Sequence, residues 1–170
     1  MNTDDLSGSR IIEAIKQSGV EYVLAVPDIT TSAGLLWPIA SDSDLRLIRV
    51  CREAETIGIS AGLSYRDIRA VTMFQNTGFL ESINAIRAVA VEYKMPICMV
   101  VGLLNKEPNV EPTQSRSYGV RIVEPILEAM GIHYQLIESD EDIPKIGPVV
   151  ERCYTTPEPG AILIGRSVAP

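Results

Sequence analysis

Two carboxylates, Glu53 and Glu55, open the stretch "REAETIGISAG" (52–62), whose other residues are mostly small or apolar. An acid at the head of such a stretch can do proton chemistry. Apolar surroundings disfavour the ionised carboxylate, so the group can hold a proton near neutral pH and pass it on. The same residue also reads as an ordinary acid at a helix start, favoured there by the helix dipole. Gly58, Ser60, Ala61 and Gly62 make a helix of small cross-section, which admits either a second subunit's backbone or a flat ligand. A second polar cluster follows in "FQNTGF" (74–79).

Other chemistries find little support. No G-x-G-x-x-G follows a strand, no G-x-x-x-x-G-K-[ST] is present, and there is no nucleophile elbow. The single histidine, His133, opens an apolar run and reads as a core or surface residue. Asp140, Glu141 and Asp142 precede a helical pattern, where the dipole accounts for them without a metal. Cys51, Cys98 and Cys153 are odd in number and far apart, which fits reduced thiols filling a core better than a disulfide framework or zinc site. With 15 basic and 22 acidic residues the net charge is −7, spread without a basic stripe, so nucleic acid and anionic membranes are not expected partners. The acidic start "MNTDDLSGSR" lacks the character of a signal peptide, and no apolar run is long enough to span a membrane; a soluble, cytoplasmic protein is expected.

The elements that must position these residues alternate regularly. Apolar, β-rich runs at 21–26, 45–50, 70–74, 96–101, 133–137 and 161–165 predict six strands. Helical spacing falls between them, at Ile11, Ile12 and Ile15, over 53–65, over 79–93, and at Ile122, Val123, Ile126, Leu127 and Met130. Strands and helices in turn predict an α/β fold: a six-stranded, mostly parallel sheet with helices on both faces, in one domain over 1–170. "IIEAIKQSGVEYVL" and "IVEPILEAMGIHYQL" repeat one α-to-β connection, with Gly past the helix end. Glu53 then sits at the mouth of the strand ending near Val50. The long stretch 103–119 also follows a strand's C-terminal end, where open α/β sheets build ligand sites; a surface loop is the plainer alternative.

Three segments resemble a known family. "REAETIGISAG" is similar to the Glu-bearing helix of the pyrimidine-binding (PYR) domain of thiamine-diphosphate enzymes, with Glu53 nine residues before Gly62. "MFQNTGFLESINAI" (73–86) resembles the M-Q-N-S-G-L-G-N segment of the sulfopyruvate and phosphonopyruvate decarboxylases, and "GVEYVLAVPD" (19–28) their V-P-D turn. The resemblance implies a PYR-type thiamine-diphosphate-binding fold and a catalytic role for Glu53, whose carboxyl would bond N1′ of the aminopyrimidine and help remove the thiazolium C2 proton. It also implies cofactor contacts from Gln75, Asn76, Thr77 and Gly78, and substrate contacts from Asp28, Asn76 and Glu81.

The chain departs from that pattern in two ways. Leu80 and Glu81 stand where the decarboxylases have Gly-Asn, and a carboxylate there would repel an anionic substrate unless turned outward or offset by Arg116 or Arg121; Glu81 also fits the third position of a helix capped near Gly78. The G-D-G…Asn motif that binds magnesium and diphosphate is absent, which implies that Mg2+ and the diphosphate are held by a PP-domain beta subunit, in an α2β2 assembly. The resulting expectation is the alpha subunit of a two-subunit, thiamine-diphosphate-dependent 2-oxo acid decarboxylase. A carboligase or other 2-oxo acid lyase subunit, and a non-catalytic flavodoxin-like binding module, are the alternatives.

Overall fold

A computed structural model describes residues 5–170; residues 1–4, the start of the acidic segment noted above, lie outside the described residues. All six expected strands form, and they build one sheet in which every pairing is parallel. In chain order the strands are β1 (Leu6–Ser7), β2 (Tyr22–Ala25), β3 (Arg46–Arg49), β4 (Ala70–Gln75), β5 (Cys98–Gly102), β6 (His133–Ile137), β7 (Gly160–Ile164) and β8 (Val168–Ala169). The six-stranded sheet has the order β3-β2-β4-β5-β7-β6, while the short β1 and β8 pair with each other. The helices are α1 (Gly8–Gln17), α2 (Trp37–Ala40), α3 (Glu53–Ser64), α4 (Asn76–Glu81), α5 (Ile83–Ala85), α6 (Tyr118–Arg121), α7 (Val123–Ala129) and α8 (Ile146–Thr155).

Side-chain alternation on these strands builds two cores, one on each face of the sheet. Val71, Met73, Cys98 and Val100 pack with α1, α2 and α8 through Ile11, Ile15, Ile39 and Val149. Phe74, Met99, Val101 and Leu163 pack on the other face with α3, α4 and α7 through Ile57, Phe79 and Leu127. Gly19 and Gly131, the two glycines of the repeated α-to-β connection, have φ of +73° and +68°, a backbone that only glycine adopts without cost.

The helical pattern at 79–93 begins earlier than its apolar spacing suggests, at Asn76, directly after Gln75, which is extended and stands at the N-cap position of α4. Its second half, Ile86–Glu92, is wound as a π-helix, with Ile86 and Ala90 buried in the core. The cysteine reading holds for Cys98 and Cys153, which are buried side by side, but Cys51 is exposed. It lies in the polar turn before α3, where nothing apolar covers it.

The chain leaves β2 toward β3 on one side and β4 toward β5 on the other. The crevice beyond the C-terminal ends of β2 and β4 is therefore the switch point of the sheet, the usual ligand position in such folds.

Candidate functional site

Three loops meet at that crevice. Glu53 is the first residue of α3 and is half-buried; Gly78 lies in the first turn of α4, just past β4. A Cβ placed on Gly78 would lie 2.4 Å from Glu53 Cγ and 2.5 Å from its Oε1. The carboxyl group of Glu53 thus occupies the room that a side chain at position 78 would need. No hydrogen bond within the described residues takes up that carboxyl group, although its own backbone carbonyl accepts from Thr56 Oγ1 at 2.6 Å. Glu55 behaves differently. Its Oε2 accepts from the amides of Cys51 and Arg52, both at 3.1 Å, and so caps the helix start. Of the two acids in the opening stretch, one is used by the fold and the other is left for something else.

The β4–α4 turn holds the other expected residues. Asn76 is buried and its Oδ1 accepts from the Leu104 amide at 2.9 Å, tying this turn to the loop after β5. A Cβ on Gly119 would come within 2.9 Å of Asn76 Nδ2, so Gly119 is also kept bare for a side-chain amide. Gln75 Nε2 donates to Thr77 Oγ1 at 2.5 Å, while Gln75 Oε1 is buried without a partner. A buried acceptor left unpaired is costly unless something outside the chain donates to it.

Asp28 lies in the loop after β2. Both its oxygens accept from Thr31, from the amide at 2.7 Å and the hydroxyl at 2.5 Å, so Asp28 fixes the residue that precedes the helical turn Ser32–Leu36. Glu81 is the last residue of α4, not the third of a helix capped near Gly78, because the helix starts at Asn76. It pairs with Arg52, and neither Arg116 nor Arg121 is its partner. The hydrogen bond from Arg52 holds the Glu81 carboxyl below its ordinary range, and this ion pair offsets the charge that would repel an anion.

Arg52 and Gly119 were not singled out from the sequence. Arg52 sits beside Glu53 with no motif of its own, and Gly119 lies in the irregular stretch 103–119, where spacing says nothing about what approaches it. His133 is far from the crevice, at the start of edge strand β6; burial, then the charge of Arg152, lowers its pKa. The acid Asp142 likewise has a local role. Its Oδ2 accepts from the amides of Glu138 and Ser139.

The face of α3 that carries Gly58 and Gly62 is uncovered in this chain, since a Cβ at either would meet nothing within 4 Å. Ile57 and Ala61, on the adjoining stripe about 100° round the helix, are buried against the core.

A half-buried, unpaired acid packed on a bare glycine can hold a proton and exchange it with a bound molecule. The chain is 34% identical over 91 residues to the sulfopyruvate decarboxylase subunit alpha of Methanococcus maripaludis, and 30% identical over 91 residues to that of Methanocaldococcus jannaschii. This chain resembles the sulfopyruvate decarboxylase alpha subunits. The two matches cover 54% of this chain, and 54% and 53% of the respective relatives, so they span about half the length of those proteins. A longer match, 24% identical over 159 residues, covers 94% of this chain and 40% of a sulfopyruvate decarboxylase from Methanosarcina acetivorans. No family model matches the chain. Among the described residues no helix is long and apolar enough to cross a membrane.

Proposed function

We propose that this chain is the alpha, PYR-type subunit of a cytoplasmic, two-subunit, thiamine-diphosphate-dependent decarboxylase of 2-oxo acids bearing a second anionic group, such as sulfopyruvate or phosphonopyruvate. The observation that carries the proposal is the Glu53 carboxyl group packed on bare Gly78 with no partner of its own. The relatives' names support a decarboxylase and, in "subunit alpha", a partner.

The residues present fit the aminopyrimidine part of the cofactor. Glu53 would hold it through its carboxyl group, and the unpaired Gln75 Oε1 is an acceptor for an exocyclic N–H donor. When bound, the thiazolium ring supplies the acceptor for the electron pair released with carbon dioxide. Glu53 gives up and recovers a proton at its carboxyl oxygen, Gly78 keeps space for it, and Asn76 fixes the loop after β5 by its bond to Leu104. The diphosphate and Mg2+ belong, in this reading, to a beta subunit in an α2β2 assembly, for which the uncovered face of α3 at Gly58 and Gly62 is a docking candidate. The Arg52–Glu81 pair neutralises the acid at the end of α4, which removes the repulsion that a doubly anionic substrate would otherwise meet there.

Calorimetric titration of thiamine diphosphate with Mg2+ tests this reading, first into the chain alone and then with a candidate beta subunit. Tight binding only with the partner, followed by carbon dioxide release from a 2-oxo acid, is the expected result. Binding in neither case would favour the non-catalytic module, and tight binding by the chain alone would mean that the diphosphate is held elsewhere.

A further inference from the structure

Beyond Glu53, the C-terminal ends of β5 and β7 enclose a cavity of about 260 Å³ between the loops Leu103–Lys106 and Gly165–Ser167 and the turn at Ile29 and Thr30. Two polar atoms on this cavity's lining residues, Thr30 Oγ1 and Arg166 Nε, are buried and have no hydrogen-bond partner among the described residues. One is a hydroxyl that can donate, the other a guanidinium N–H that can only donate. Arg166 is nonetheless held in place, since its Nη2 donates to Asn109 Oδ1 at 2.9 Å. Asn109 takes the left-handed backbone, with φ of +57°, as asparagine tolerates.

Charge separates the two cations of this cavity. The side chain of Lys106 is wholly buried and is paired with Glu138, which is seated against Gly165; it also donates to the Glu107 carbonyl at 3.2 Å. Arg166 has no carboxylate partner among the described residues. The other nearby acids are engaged as well: Asp28 with Thr31, and Glu107 with Ser115 Oγ and the Arg116 amide. An uncompensated guanidinium with a free N–H and a free hydroxyl on the same cavity lining suit an oxygen-rich anion, which arginine grips through paired N–H donors. The cavity is below the usual size for drug-like ligands, which restricts the guest to a small head group.

We infer that this pocket binds a small oxyanion of the sulfonate, phosphonate or sulfate type, held by Arg166 and Thr30. It adjoins the Glu53 turn through Leu104, which lines the cavity and whose amide is bonded to Asn76. The oxyanion is therefore either the far end of an acid bound at the crevice or a separate ion. Only the choice between these two sources rests on the proposed function; the pocket itself stands without it.

The test begins with the full chain labelled with 15N and titrated with sodium sulfate against sodium chloride at constant ionic strength. Saturable shifts confined to the amides of Thr30, Leu104–Lys106, Arg166 and Ser167, seen with sulfate and not with chloride, are expected. Arg166→Gln should weaken sulfate binding on the order of ten-fold or more, and Thr30→Val by less, with unchanged thermal unfolding. Shifts that never saturate or that spread over the surface would overturn the inference, as would sulfate binding of parental strength in both variants; the cavity would then hold water alone. In the assembled enzyme, a KM raised by Arg166→Gln for a sulfonate-bearing 2-oxo acid, but not for a 2-oxo acid with an uncharged tail, assigns the pocket to the substrate's tail. Equal KM values alongside lost sulfate binding assign it to a free oxyanion. Sulfate binding without any decarboxylation would sink the proposed function and leave the pocket standing.

Discussion

The two ends of the sheet are finished differently. At the N-terminal end, polar groups close on one another. The Tyr154 hydroxyl accepts from the Ala70 amide at 2.7 Å and donates to the Ala70 carbonyl at 2.9 Å, and Arg69 lies over the Tyr154 ring while bonding Ser18 O and Glu151. At the C-terminal end they stay open. Of the four buried, unpartnered side-chain atoms among the described residues, three are at this end, as is the free carboxyl of Glu53: Gln75 Oε1 on the last residue of β4, and Thr30 Oγ1 and Arg166 Nε on loops. The larger cavity, about 470 Å³, nevertheless lies at the satisfied end, lined by Tyr65, Arg69 and Tyr154. Unmet hydrogen-bonding capacity, not volume, marks the end where chemistry is expected.

Substitutions at the open end should change activity more than stability. Glu53→Gln keeps the shape of the side chain and removes its ionisable proton, so the assembled enzyme should lose about 10²–10⁴-fold in kcat with its thermal unfolding unchanged. Full activity in that variant would break the comparison outright. Gly78→Ala should cost on the order of 10²-fold in kcat, because the new methyl must push the Glu53 carboxyl aside. Circular dichroism would show the fold retained.

At the satisfied end the expectation reverses. Tyr154→Phe leaves the Ala70 amide and carbonyl without their partner and should lower stability by about 1–3 kcal/mol in denaturant titration, with kinetics untouched.

The contrast sharpens at Asp142, which lies at the C-terminal end but beyond edge strand β6, away from the crevice. Burial alone would raise its pKa, yet hydrogen bonds from Lys145, the Glu138 amide and Ser139 bring it down to about 2. Because the folded value lies below the unfolded one, its contribution is complete above roughly pH 5 and is lost as pH falls toward about 2. Asp142→Asn should therefore destabilise the chain by about 1–2 kcal/mol at neutral pH and flatten that part of the acid-unfolding curve. The smallest effect belongs to Gly62→Ala. With open space around it, the chain alone should gain up to about 1 kcal/mol from helix propensity, and any weakening of subunit association would locate the partner on α3.

Much of this was legible in the sequence, for identifiable reasons. Parallel strands buried on both faces write themselves as continuous apolar runs, so all six were found in place. Glu53 and the Gln75–Gly78 turn were legible by resemblance, since a short motif fixes one turn. The π-wound stretch Ile86–Glu92 was not, because its apolar residues also satisfy α-helical spacing. Nor was the convergence of Thr30, Leu104 and Arg166: each lies on a different loop, and only strand order brings the three together. The exposure of Cys51 escaped a reading in which any cysteine counted as core.

The crossing of the chain's early and late segments bears on the order in which the site is assembled. β1 pairs with β8, and Gly8 and Gly34 are pressed so close to the carbonyls of Ala169 and Val168 that a methyl at either would lie 2.7 or 2.4 Å from them. The helical turn Ser32–Leu36, whose first flanking residue Thr31 is held by Asp28, is thus clamped by residues far away in sequence. Contacts of such long sequence separation close late, after neighbouring strands have paired. A pulse of hydrogen exchange during refolding should find the β4 and β5 amides protected before that of Thr31: the sheet waits, already built, for β8 to set the loop that carries Asp28 and Thr30.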